Sequence, residues 1–324
     1  PRRRTRGATR EAAAAVRGVL SPATRIHASP YLECAMTLPN FLIIVASKAG
    51  TTSLYDYLRQ HPSVFMPPHV KEPSFFTYEP DSPRKPPPVT TLEAYEALFS
   101  EAGAAIAIGE ASPHYLIREK APARIKKFLP DVKLIASIRH PVDRAFSLYQ
   151  MNMRAGRYDK ELQFLDAFRD QHLLKTDYAE CLGRYIDTFG REKLCVIVFE
   201  KLVADPKSTV KKVLRFLEVD EDYPIETQKV SNPGGLPRSP LLHRALSNPI
   251  VKSAARFFPQ SVKERIKNMR SRNLEKQSLD PEERQEAFAY FADMIERTQA
   301  LTGLDLSAWV ADPSGPSKSS VERP

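Results

Sequence analysis

The chain has 324 residues, 42% hydrophobic and 27% charged, enough to bury the core of one large domain. Its formal net charge is +9, and seven arginines against one glutamate in residues 1–30 account for +6 of it, so the body is only mildly basic and does not read as a nucleic-acid surface. Three dispersed cysteines, Cys34, Cys181 and Cys195, exclude a disulfide framework or a zinc site, and no apolar run reaches the roughly 20 residues of a bilayer span.

Residues 1–36 are basic without interleaved aromatics and are expected to be a flexible leader. No signal-peptide core precedes the first strand, so a cytoplasmic setting is expected, with the Golgi lumen as the alternative if a membrane anchor precedes residue 1. The main domain is expected over residues 37–312, followed by a polar tail over 313–324.

The apolar run Phe41–Ala46 predicts a buried strand. Ser47-Lys48-Ala49-Gly50-Thr51-Thr52-Ser53 follows, then a helix that Thr51 or Thr52 would cap, with Leu54 and Leu58 one turn apart and His61-Pro62 as its stop. A helix start offers backbone N–H groups and a partial positive charge to an anion. Gly50 permits close backbone approach, the three hydroxyls add donors, and Lys48 adds a full charge. A nucleotide triphosphatase would instead carry G-x-x-x-x-G-K-[ST]. Here the lysine precedes the only glycine of the turn by two positions, which disfavours ATP or GTP hydrolysis.

Next comes Lys71-Glu72-Pro73-Ser74-Phe75-Phe76, in which Glu72, taken alone, reads as a loop glutamate paired with Lys71 or another surface cation. Residues 79–89 hold five prolines and predict an exposed connection. A second strand is expected over Ala104–Ile108, leading into Gly109-Glu110-Ala111-Ser112-Pro113-His114-Tyr115, and a helix over Ala121–Leu129. The strand Val132–Ile138 ends in Arg139-His140-Pro141, and Pro141 opens a helix over Val142–Met153. Arg139 at the carboxyl end of a strand faces the same rim as Lys48, and Ser147 lies eight residues on, so an arginine fork and a hydroxyl could share a phosphate. Leu194–Phe199 predicts a fourth strand, Asp205-Pro206 caps a helix over Lys207–Leu217, Ser231–Pro240 is loop-like, and Leu241–Leu301 is helical, clearest at Glu282–Ala300. Strand and helix in alternation predict an α/β fold with a central, mainly parallel sheet flanked by helices, its ligands at the carboxyl ends of the strands.

Ala46–Leu54, Lys71–Phe76 and Ile138–Tyr149 together resemble the sulfotransferases that use 3′-phosphoadenosine 5′-phosphosulfate (PAPS), particularly the heparan sulfate sulfotransferase branch and its bacterial relatives. The resemblance runs from about Phe41 to Phe199 and implies a P-loop-kinase-like fold. It implies that Lys48, Ala49, Gly50, Thr51, Thr52 and Ser53 bind the 5′-phosphosulfate and that Arg139 and Ser147 bind the 3′-phosphate. Glu72 inherits the role of general base, and Lys48 that of stabilising the leaving phosphate, with release of 3′-phosphoadenosine 5′-phosphate (PAP) and no metal. Ser231–Ser239 looks like a loop that closes over the nucleotide, which makes Arg238 a candidate for a second 3′-phosphate contact, although the Lys-Gly-Arg loop and disulfide of the Golgi enzymes are not recognisable. His69 and His114 are weaker candidates for the base. The implied acceptor is a hydroxyl, with a carbohydrate favoured. The rival readings are a P-loop kinase of a small molecule and a non-catalytic nucleotide- or polyanion-binding module.

Overall fold

The computed structural model describes residues 37–227 and 278–311, apart from 81, 83, 84, 160 and 171–173, together with residues 236–237, 269 and 274–275. The chain divides into Pro1–Ala35 and Met36–Pro324, and the second unit carries the fold.

Five parallel strands form the central sheet in the order β2-β3-β1-β4-β5. They are β1 (Phe41–Ile43), β2 (Val64–Phe65), β3 (Ala107–Ala111), β4 (Lys133–Ile138) and β5 (Leu194–Val198). Strand β1 is central, with Phe41 opposite both Gly109 of β3 and Lys133 of β4. Alternation along Phe41–Ala46 sends Leu42, Ile44 and Ala46 into one core and Phe41, Ile43 and Val45 into the other. Both faces are therefore covered, as a parallel sheet requires.

Helices α1 (Thr51–Leu58), α7 (Phe199–Ala204) and α8 (Pro206–Phe216) supply Leu54, Leu58, Leu202, Val210 and Val213 to the second core. The first core takes side chains from α3 (Ala121–Phe128), α4 (Pro141–Arg154), α5 (Phe164–Asp170), α6 (Tyr178–Phe189) and α9 (Pro281–Thr302). Two shorter helices, α2 (Leu92–Glu96) and α10 (Ser307–Ala311), add Tyr95 and Trp309. Burying each such large apolar side chain contributes about 1.5–3 kcal/mol. Asp205 caps α8 by accepting from the Ser208 N–H at 3.0 Å, and Asp280 caps α9 through the Glu282 N–H at 2.9 Å. Among the described residues, no helix is long and apolar enough to cross a membrane.

The strand expected at Ala104–Ile108 instead occupies Ala107–Ala111. Ala105 N–H donates to Ala102 O in a turn and Ile106 is exposed, so pairing begins at Ala107, where β2 and β1 supply partners. Consequently Glu110 lies inside a buried strand, not after it. Gly109 is required there, since a Cβ would come within 2.4 Å of the Phe41 ring. The cap expected from Thr51 or Thr52 is absent: Gly50, with φ 86°, is the N-cap of α1, and no side chain caps the helix. Within the loop expected at Ser231–Pro240, Leu236–Pro237 pairs antiparallel with Leu274–Glu275 as a two-residue ladder.

Candidate active site

In the order β2-β3-β1-β4-β5 the chain turns to opposite sides of β1, and the crevice outside the carboxyl end of that strand is where ligands of open α/β sheets bind. Three segments meet there: the turn after β1, the segment at the end of β3 and the residues after β4.

The turn is fixed from below. Ser137 of β4 donates its hydroxyl to Ala49 O at 2.7 Å, and Ala49 is fully buried. Lys48 adopts φ 77°, left-handed backbone that is costly for a long side chain and is kept only where surroundings impose it. Gly50 then turns the chain into α1, and a Cβ there would meet Phe199 Cδ2 at 2.9 Å. Helix α1 starts with no capping side chain and no acidic residue in its first turn, leaving the positive end of its dipole to face the crevice.

Arg139 is placed by contacts with Lys48, Phe199 and Tyr178. Its guanidinium donates to Lys48 O at 3.1 Å and lies 4.9 Å from the Phe199 ring centroid. Its backbone carbonyl accepts from the Tyr178 hydroxyl at 2.9 Å. The next residue is held as well, because Glu200 accepts from the His140 N–H at 2.9 Å and from Trp309 Nε1 at 3.3 Å. Ser147 is half-buried on α4, and Arg154 lies seven residues, about two turns, further along the same face.

Burial, then Arg154, then Arg139 push the Lys48 ammonium down to about 8. Among the described residues, no carboxylate forms an ion pair with Lys48, Arg139 or Arg154. The charge of Arg139 is felt by Asp143 and Glu200 without a direct pair, while the crowding of Lys48 by Arg154 and Arg139 is an electrostatic deficit that a bound anion would offset. Sequence reasoning missed Arg154, whose only signal was its helical spacing from Ser147.

Across the crevice, Lys71 donates to Thr52 Oγ1 at 2.7 Å and lies 3.5 Å from Glu72, so one lysine ties the turn to the glutamate. The ion pair expected of an ordinary loop glutamate is therefore present, and it is linked to the anion turn. Glu72 is exposed, Ser74 follows in left-handed backbone at φ 54°, and Phe75 and Phe76 anchor the segment in the core. His69 and His114 are exposed on neighbouring loops. The structure thus brings together Lys48 to Ser53, Lys71 with Glu72, and Arg139. Arg238 lies outside the described residues.

A family model described as a sulfotransferase domain matches residues 38–232. The crystal structure of a sulfotransferase from Alicyclobacillus acidocaldarius superposes with a TM-score of 0.64 at 30% identity, covering 85% of this chain and 99% of that one. Heparan sulfate glucosamine 3-O-sulfotransferase 3A1 from Homo sapiens is 30% identical over an alignment of 197 residues that covers 57% of this chain and 45% of that protein. The bifunctional heparan sulfate N-deacetylase/N-sulfotransferase 4 of Mus musculus is 28% identical over 207 residues, 57% of this chain and 23% of that protein. The chain therefore spans less than half the length of these two curated relatives.

Proposed function

The chain belongs to the sulfotransferase family, and from that membership we propose that it transfers the sulfuryl group of PAPS to a hydroxyl acceptor, with a carbohydrate hydroxyl favoured. The observation that carries this reading is the Arg139–Lys48 contact, which brings two cations from different strands to one crevice with no carboxylate pairing either among the described residues.

The residues fit such a donor at both ends. The start of α1, with Thr51, Thr52, Ser53 and the Lys48 ammonium, suits a 5′-phosphosulfate, while Arg139 and Ser147 suit a 3′-phosphate. The remote anchor contributes binding energy that aligns the reacting centre. Sulfuryl transfer is an in-line displacement like phosphoryl transfer, so the protein chiefly positions groups and stabilises charge. Glu72 accepts the acceptor's hydroxyl proton as that oxygen bonds to sulfur. The bond from sulfur to the bridging phosphate oxygen breaks, and Lys48 hydrogen-bonds the oxygen that leaves with PAP. The Arg238 contact and the acceptor's identity belong to the same proposal. The preference for a carbohydrate is supported by the heparan sulfate in the names of both relatives, and that for a hydroxyl by the 3-O-sulfotransferase alone.

Incubation with labelled PAPS and a panel of carbohydrate, lipid and phenolic acceptors tests the reading. Acceptor-dependent release of PAP is expected. Binding of PAP with no release for any acceptor would replace transfer with a non-catalytic nucleotide-binding role.

A further inference from the structure

Glu110 is a carboxyl with no exposure at all, and the chemistry above does not use it. It sits in β3 opposite Leu42 of the central strand, on the flank of the crevice. Around it is a set of hydroxyls. Ser112 Oγ donates to Glu110 Oε2 at 2.8 Å, Tyr95 of α2 donates to Oε1 at 3.3 Å, and the Tyr115 hydroxyl also bonds to the carboxyl.

Two of these hydroxyls are relays. Ser112 Oγ accepts from the Ser74 N–H at 2.9 Å while donating to Glu110. Tyr115 Oη accepts from the Phe76 N–H at 3.4 Å and likewise bonds to Glu110. Both N–H groups belong to the segment that carries Glu72, two and four residues beyond it. One buried carboxylate thus orients two hydroxyls, and each hydroxyl fixes a backbone amide of the same short loop.

We propose that Glu110 is a positioning residue, whose carboxylate orders the Glu72 segment through Ser112 and Tyr115 and whose protonation loosens that segment. The directionality of the bonds supports this. An ionised carboxylate only accepts, so both hydroxyls point their protons at it and keep their lone pairs for the amides. A protonated carboxyl must donate one bond: directed at Ser112 or Tyr115 it reverses a relay to the Glu72 segment and leaves a buried hydroxyl proton without an acceptor, whereas directed at Tyr95 it spares both relays. That the loop is ordered in this way is independent of the proposed function; that the order matters for turnover rests on it, through Glu72.

Titration falls in a useful range. Burial pushes the Glu110 carboxyl up to about 7; bonds from Tyr115, Ser112 and Tyr95 oppose the rise, and the charge of Glu72 adds to it. The ionisable groups acting on it are Glu72 of the loop, Tyr95 of α2, Tyr115 after β3 and Tyr185 of α6. The three tyrosine hydroxyls are all held above 10 by burial first, so they stay neutral over this range. The sign is set by the donor bonds and not by burial: with the carboxyl still buried, losing the bonds from Ser112 and Tyr115 raises its value further, so protonation favours the loosened loop and ionisation the ordered one, with the change centred near pH 7.

The first test needs neither donor nor acceptor. Amide NMR shifts of Ser74 and Phe76 in the full chain should titrate together with a midpoint near 7, and Glu110→Gln should abolish that titration. Amides that do not titrate, or that titrate unchanged in Glu110→Gln, would overturn the proposal. Ser112→Ala guards against a variant that fails to fold: loss of one donor to the carboxylate should move the Phe76 midpoint to higher pH, and an unmoved midpoint is contrary evidence. In the transfer assay, the wild-type rate should fall up to tenfold per pH unit below the midpoint, while Glu110→Gln should be slow and flat between pH 6 and 8. A titrating loop in a protein that releases no PAP would refute the transfer reading and leave the loop device standing.

Discussion

The Arg139 guanidinium donates to the backbone carbonyl of Lys48 at 3.1 Å, so the residue after β4 holds the strained residue after β1. The two ends of the proposed donor site are therefore a single mechanical unit, and Arg139 has two duties: gripping a phosphate and fixing the turn. Arg139→Ala should weaken PAP binding by roughly 10- to 100-fold, the range expected when about 1.5–3 kcal/mol of charge-assisted hydrogen bonding is lost. Acceptor binding should change little. Calorimetric titration with each ligand separately decides the point, and equal losses for both would remove the anchor role.

Lys48 is charged below its titration near 8 and neutral above it, so the affinity for an anionic donor should decline as pH rises past 8. For stability the sign is opposite. The folded value lies below the ordinary 10.5, so the unfolded chain binds the proton more tightly and the penalty of the buried ammonium is relieved between about 8 and 10.5. Lys48→Ala should therefore bind PAP weakly with a flat profile from pH 7 to 9, and its Tm at pH 7 should not fall below wild type. A lower Tm would show that the ammonium stabilises the empty turn.

Gly50→Ala probes the other side of the turn. At φ 86° a side chain costs about 1–2 kcal/mol, and the new Cβ would press on Phe199, the same ring that Arg139 stacks against. The variant should lose about 2 kcal/mol in denaturant unfolding and should lose PAP affinity as well. Wild-type PAP affinity would show that the turn can relax without disturbing Arg139.

These residues differ in how far the sequence reveals them. The turn was legible because its lysine, glycine and hydroxyls are contiguous and follow an apolar run, and Arg139 because a proline marks the end of its strand. The cap was misplaced because a glycine in left-handed backbone replaces the side-chain cap, which is a conformational property that residue type alone does not reveal. Strand β2 was missed since two residues carry no periodicity. The apolar run Ala104–Ile108 places Glu110 after the strand, and its partners Tyr95, Ser112 and Tyr115 are assembled only by the fold. Arg154 gains its meaning only from its position near Lys48.

Glu72→Gln isolates the proposed chemistry from donor binding. Glu72 is exposed and its segment is anchored through Ser74 to Ser112, so the substitution should leave both fold and PAP affinity intact. A general base contributes about 10²- to 10⁴-fold, and kcat should fall within that range. A change of less than about threefold would transfer the role elsewhere, with the exposed His114 as the next group to test.

Lys71 offers the complementary experiment, because it touches both sides of the crevice: Thr52 Oγ1 at 2.7 Å and Glu72 at 3.5 Å. The ion pair itself is partly exposed and worth at most about 1 kcal/mol, so its removal should barely affect stability. What it does is hold a flexible carboxylate at a fixed distance from the turn. Lys71→Met keeps an apolar stem of similar length while removing the ammonium, which lies 5.8 Å from the Tyr55 ring centroid. Its kcat should fall by roughly tenfold, since a misplaced base loses the benefit of orientation, with PAP affinity within about threefold of wild type. If kcat were unchanged, the Ser74–Ser112 anchor alone would suffice to place Glu72. If PAP affinity instead collapsed, Lys71 would have to be counted among the donor-binding cations.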